Sequence, residues 1–287
     1  MPPGTPQSRV VHVQSPHAVV GPEVHRPLLG EMLQKALMSL TETSTIGQAW
    51  RSVLKPDDVI GLKFNRSGQK VIATTNAVAD ALITSLIEAG WSPNRIVCIE
   101  APEGVEARRG TAPARHGYAV RETDFGSGVD HFASVLSQVT ALIDIPFLKT
   151  HNIAGMTCTL KNLSHGFVKH PARYHSNGCS PHIADIVAAA PIRSRLRLCL
   201  VDALRVVYDG GPAATAGTIA DEGILLASFD PVATDTVGLA ILNEIRQRHD
   251  LTPVSRTPDD LGYLADAHLR GLGVAVWHGI ELVRVKP

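Results

Sequence analysis

Lys149 and His151 stand two residues apart in "FLKTH" (residues 147–151), at the end of an apolar run. Side chains two apart on an extended chain share a face, so an ammonium and an imidazole point the same way. That pair suits anion binding and proton transfer, since a free imidazole titrates at about 6.5. Lys161 and Asn162 follow in "TCTLKN" (residues 157–162). Lys63 and Asn65 close a second apolar strand, "VIGLKFN" (residues 59–65). We therefore expect Lys149, His151 and Lys161 to be catalytic, with Lys63, Asn65 and Asn162 holding an anion beside them.

Residues 145–184 carry Lys149, Lys161, Lys169, Arg173 and five histidines, with no Asp or Glu. Apolar residues from Ile153 to Val168 are spaced through the segment as if partly buried. Cations beside apolar surface cost free energy unless a partner neutralises them. The partner must be a distant acid, for which Asp202, Asp230 and Asp235 stand near strand ends and a helix start, or a bound anion. "GMTCTLKN" reads as a Gly-led turn into a helix. Capped by Thr157 or Thr159, it would offer free N–H groups to phosphate or carboxylate. A metal competes with this reading. His165, His170, His175, Cys179 and His182 are dense enough to ligate a divalent ion such as zinc or iron. The spacing of the first three histidines matches no helical ligand pair, and Lys169 and Arg173 would have to face away.

The elements that must position these residues alternate between strand and helix. Strands are expected at residues 10–14, 59–65, 95–101, 118–122, 140–148, 196–204, 223–230 and 279–285. Helical spacing is read at residues 31–41, at 74–89 (opened by Thr74 or Thr75), at 183–192 and after Pro231. The pattern predicts an α/β fold, a mostly parallel sheet flanked by helices. A loose Pro-rich tail is expected at residues 1–9. One domain then spans residues 10–287, with a His-rich insert at about 165–182. Ligands of such sheets collect beyond the carboxyl ends of the strands. Residues 63–68, 149–182 and 202–211 fall in that position, and a fourth stretch opens at Ser228 and Asp230.

Lys+Arg and Asp+Glu are equal at 27 each, and aromatics are scarce at 5%, which argues against nucleic-acid binding. No apolar run reaches the roughly 20 residues of a membrane helix, and the first residues lack a signal-peptide core, so a cytoplasmic location is expected. Cys98, Cys158, Cys179 and Cys199 form no C-x-x-C pair, which speaks against an iron–sulfur cluster. "LASFD" is not the G-x-S-x-G elbow of a serine hydrolase.

Four pieces, "VIGLKFN", "IDIPFLKTHNIAGMTCTLKN" with Gly166 after it, "LVDAL…DGGP" and "LLASFDPVATDTV", together resemble the bacterial and archaeal family called domain of unknown function 362. The resemblance implies an α/β domain in which Lys63, Lys149, His151, Lys161, Asn162, Asp202, Asp230 and Asp235 gather at one site. Many relatives carry a ferredoxin-type module or a twin-arginine signal, and this sequence shows neither. The function expected is an enzyme acting on a small anionic carboxylate or phosphate, with or without a divalent metal. The alternative is a module that binds an anionic cofactor without catalysis.

Overall fold

The Val-, Ile- and Leu-rich runs form a nine-stranded sheet in a computed structural model that describes residues 8–215 and 218–287. Its strands are β1 (Ser8–Gln14), β2 (Ile60–Lys63), β3 (Ile96–Ile99), β4 (Ala141–Asp144), β5 (Phe147–His151), β6 (Gly155–Thr157), β7 (Leu196–Val207), β8 (Ile219–Ser228) and β9 (Ile280–Val285). They lie in the order β9-β1-β8-β7-β4-β2-β3, with β5 beside β7 and β6 beside β5. The pairs β1/β9, β2/β3, β2/β4, β4/β7 and β5/β7 are parallel; β1/β8, β7/β8 and β5/β6 are antiparallel. The sheet is therefore mixed and mostly parallel, and the fold is α/β. Of the expected tail, residues 1–7 lie outside the described residues, while Ser8 and Arg9 already belong to β1.

Both faces of the sheet are covered, which is why its strands are apolar throughout rather than alternating. Helices α1 (Arg26–Thr41) and α2 (Thr75–Glu88) pack Leu29, Leu33, Leu82 and Leu86 against Ile60, Leu62, Leu198 and Leu200. On the other face, α3 (Thr159–His165) and α4 (Pro231–Arg248) pack Leu160, Leu163, Val237 and Leu242 against Leu142, Val201 and Leu226. Each such buried Leu contributes roughly 1.5–3 kcal/mol. Among the described residues no helix is long and apolar enough to cross a membrane.

Three differences from the sequence reading bear on the site. The single strand expected at residues 140–148 is two, β4 and β5, broken at Pro146, which has no N–H to give a ladder. Strand β7 runs on to Val207, so Asp202 lies mid-strand and not at a carboxyl end. Strand β8 is antiparallel to β7, with Ser228 opposite Cys199, so Ser228 and Asp230 lie at the other end of the sheet. The short strand expected at residues 118–122 does not form.

Candidate functional site

At the carboxyl ends of β2, β3 and β5 the chain leaves a cleft of about 380 Å³. Lys149 and His151 enter it from the last turn of β5, Lys161 and Asn162 from α3, and Asn65, Arg66 and Ser67 from the loop after β2. His165 and His175 close one side, and Glu100 the side beyond β3. Lys149, His151, Lys161 and Asn162 are all buried.

Lys149 is held by oxygens. Its Nζ donates to Ser67 O (2.8 Å), Pro212 O (3.2 Å) and, more weakly, Asn65 Oδ1 (3.4 Å). The Pro212 carbonyl reaches it because Gly211 packs directly on β5, where a Cβ would overlap Thr150 O. The glycines of "DGGP" thus do more than make a turn. They seat a backbone oxygen on the site lysine. Burial, then the neighbouring Lys161, lowers the Lys149 pKa to about 7.

His151 is fixed by its own loop. The N–H groups of Ile153 and Ala154 donate to its Nδ1 at 3.1 and 3.2 Å. A ring nitrogen that accepts carries no proton, so the neutral ring bears its hydrogen on Nε2. Burial, then Lys161, lowers the His151 pKa to about 4. The residue expected to shuttle a proton is instead a neutral hydrogen-bond donor at pH 7.

Lys161 owes its place to a carboxylate far along the chain. Asp235, fully buried at the start of α4, accepts from the N–H groups of Thr159 (2.7 Å) and Leu160 (3.2 Å) and so caps α3. Those N–H groups are therefore not free for an anion, and neither Thr157 nor Thr159 is the cap. The Lys161 ammonium meets His175 Nε2 at 3.3 Å, its one hydrogen bond among the described residues. His175 Nδ1 sits 3.1 Å from Pro171 O, which fixes Nδ1 as its donor and Nε2 as the acceptor facing Lys161. Burial lowers the Lys161 pKa to about 8.

Behind the cleft lies a second, closed cluster. Lys63, wholly buried, donates to Phe64 O (2.7 Å), Glu100 Oε2 (3.0 Å) and Asn162 Oδ1 (3.1 Å), which commits all three of its protons. Asn162 turns its Nδ2 to Asp144 Oδ1 at 2.7 Å. Burial pushes the Asp144 carboxyl well above its ordinary range, and Lys63 opposes that. Gly166 roofs the lysine, since a Cβ there would come within 2.7 Å of Lys63 Nζ. Lys63 was expected to hold the anion; it holds Glu100 and Asn162 instead.

Asp202, Asp230, His170 and His182 do not join the cleft. Asp202 accepts from Thr74 Oγ1 (2.6 Å) inside the sheet, and burial raises its pKa to about 6. Asp230 caps α4 through the N–H groups of Val232 and Ala233, both at 2.8 Å, at the far end of the sheet. His170 pairs with Asp130 (2.9 Å), and His182 lies between Ser127 and Ser176. Of the metal set only His165, His175 and Cys179 come together, with one ligand atom each within 4.8 Å of one another. Such a group could hold an ion, but its two histidines are engaged. His165 Nε2 donates to Tyr174 O, and Lys161 occupies His175 Nε2. An ion would have to displace the ammonium. Arg66 and Ser67 line the cleft from the stretch 63–68 read as a ligand position, while Glu100 and Pro212 line it without having been singled out in the sequence.

The sequence model described as "Domain of unknown function (DUF362)" matches residues 53–240, about two thirds of the chain, and the chain belongs to that family. No curated protein matches it. Among solved structures it is similar to the lactate racemase apoprotein from Thermoanaerobacterium thermosaccharolyticum, at 10% sequence identity and a TM-score of 0.46. That match covers 78% of this chain and 55% of the other, so the chain spans about half the length of that protein.

Proposed function

We propose that this DUF362 protein is an enzyme that takes a small anionic metabolite, a carboxylate or phosphate, into the cleft at the carboxyl end of its sheet. One observation carries the reading. Lys149, Lys161 and the Nε2–H of His151 converge there from buried positions, and among the described residues no carboxylate hydrogen-bonds to either lysine. A buried ammonium without a counter-charge is costly, and a bound anion removes that cost. Lys161 keeps two N–H donors for the ligand, His151 adds a neutral donor, and Lys149 supplies charge from the floor. The volume lies at the small end of ligand pockets.

The test is a thermal unfolding series with phosphate and with two- to four-carbon carboxylates at pH 6.5. Stabilisation by at least one of these anions is expected, and its loss in Lys161→Met. Anion stabilisation that survives in Lys161→Met, or none in the wild type, removes the proposal. So does one equivalent of tightly held zinc or iron that disappears in His175→Ala, because ion and ammonium cannot share His175 Nε2. Binding without turnover of any tested carboxylate or phosphate favours the non-catalytic module.

A further inference from the structure

Glu100 is the one carboxylate that lines the cleft among the described residues. It sits just past β3, where the strand hands over to a loop, with φ +56, in the left-handed region. A non-glycine residue pays about 1–2 kcal/mol to stand there. Three groups hold it in that conformation. Lys63 Nζ (3.0 Å) and the N–H of Arg66 (3.3 Å) both donate to Oε2, and Gln69 Nε2 donates to its carbonyl oxygen at 2.5 Å. Its other oxygen, Oε1, makes no hydrogen bond or ion pair among the described residues, and a quarter of the side chain is exposed. One oxygen is thus locked by Lys63 and Arg66, and the other is without a partner among the described residues, on a residue that lines the cleft. A counter-ion for Lys63 would need neither the strained backbone nor the free oxygen. Strain that the surroundings over-determine is characteristic of sites with a chemical task.

Other residues lining the same cleft point to the task. Lys161 and the His151 Nε2–H offer uncommitted donors, and Lys149 adds charge. Such donors stabilise negative charge as it grows on a ligand. A carboxylate that lines the same cleft can take the proton whose departure creates that charge.

We infer that Glu100 is a catalytic base that removes a proton from the carbon next to a carbonyl in the bound anion, so that the substrates are 2-oxo carboxylates or their close relatives. This rests on the anion reading of the cleft. In the step, the substrate C–H bond breaks and its proton passes to Glu100 Oε1. The electron pair forms a carbon–carbon double bond, and the carbonyl oxygen becomes an enolate oxygen facing Lys161 and His151. No oxidant or reductant is consumed, and the reverse step returns the proton. Lys63 acts through Glu100 as a positioning residue, and Gly166 keeps it covered.

Proton NMR in D2O with pyruvate and 2-oxobutyrate as probes tests this, with thermal shift on the same samples reporting binding. The wild type is expected to speed loss of the C3 proton signal well above the buffer rate. Glu100→Gln should slow that exchange by about 10²–10⁴-fold while keeping the stabilisation by the same acids. Glu100→Asp retains the charge opposite Lys63, guards against a folding defect, and should show an intermediate loss. Stabilisation without exchange in the wild type, or exchange unchanged in Glu100→Gln and Glu100→Asp, overturns the base alone. No stabilisation by either acid overturns the base, and only if phosphate and the other carboxylates of the thermal series also fail does the anion reading go with it.

Discussion

Lys63 and Lys161 serve one cleft from two sides and are held in opposite ways. Lys63, with no exposed surface, spends three protons on a carboxylate, an amide and a carbonyl. Lys161, almost as deeply buried, has a single imidazole for company. Burial is nearly equal, so burial does not separate them; the partners do. A buried cation whose donors are all answered, one of them by a carboxylate, is architecture. One whose donors are left open is a place for a ligand.

The largest expected effect breaks this comparison if it fails. Lys63→Met leaves Glu100 without its counter-charge and Asn162 Oδ1 without its donor, which should cost about 3–5 kcal/mol in urea unfolding. Lys161→Met removes an ammonium that no carboxylate balances. It should change stability by less than about 1 kcal/mol, or raise it, with no anion present. Equal losses in the two variants would show that both lysines are structural.

How far this could be read from sequence follows from the range of each interaction. "VIGLKFN" and "FLKTH" announce strands that end in Lys and Asn or His, and the carboxyl-end rule then places Asn65, Lys149, His151 and Lys161 together. Strand direction is not written in an apolar run. Asp230 looked equivalent to the other post-strand residues until β8 proved antiparallel. Asp202 was misplaced because nothing in "LVDALRVV" marks where the strand stops. His170 and His182 match the metal vocabulary as well as His165 and His175 do, yet Asp130 and two serines claim them. Glu100 carries no local signal in "IEAPEG". Its meaning comes from Lys63, 37 positions earlier. The strand expected at residues 95–101 takes Glu100 in, and the observed strand stops one residue short of it.

A second pair compares two carboxylates at the start of one helix, α4. Asp235 and Asp230 sit five residues apart and each caps a helix, but Asp235 caps the helix of Lys161 and Asn162. Asp235→Ala strands two buried N–H groups and should cost roughly 2–4 kcal/mol while weakening anion stabilisation. Asp230→Ala should cost about 1–2 kcal/mol, the range of a lost N-cap, with the anion shift unchanged. Chemical denaturation and the phosphate thermal shift, run on both variants, read this difference. An anion shift lost in Asp230→Ala and kept in Asp235→Ala would reverse the assignment of the two caps.

The smallest effect is a slope with pH, and it sharpens the contrast because binding and stability should move in opposite senses. Lys149 is lowered to about 7 and Lys161 to about 8, each first by burial. An anion needs the ammonium forms, which are present below these values. Affinity should therefore be level near pH 6 and fall above pH 7, by at most about tenfold per pH unit for each lysine. His151, lowered to about 4, stays neutral across this range and adds nothing to the slope. Without ligand the sign is reversed. The unfolded chain keeps these lysines protonated up to their ordinary 10.5, so between about pH 7 and 9 it binds more protons than the folded one. Stability should rise through that window, by up to about 1.4 kcal/mol per unit for each lysine. Asp202 and Asp235, raised to about 6 and about 7, work against this only at lower pH, where the folded state holds the extra proton. Calorimetric titration with phosphate and urea unfolding from pH 6 to 9 measure the two slopes. Lys149→Met should flatten both near pH 7, and parallel slopes in the wild type would mean that the unpaired lysines are not what the anion meets.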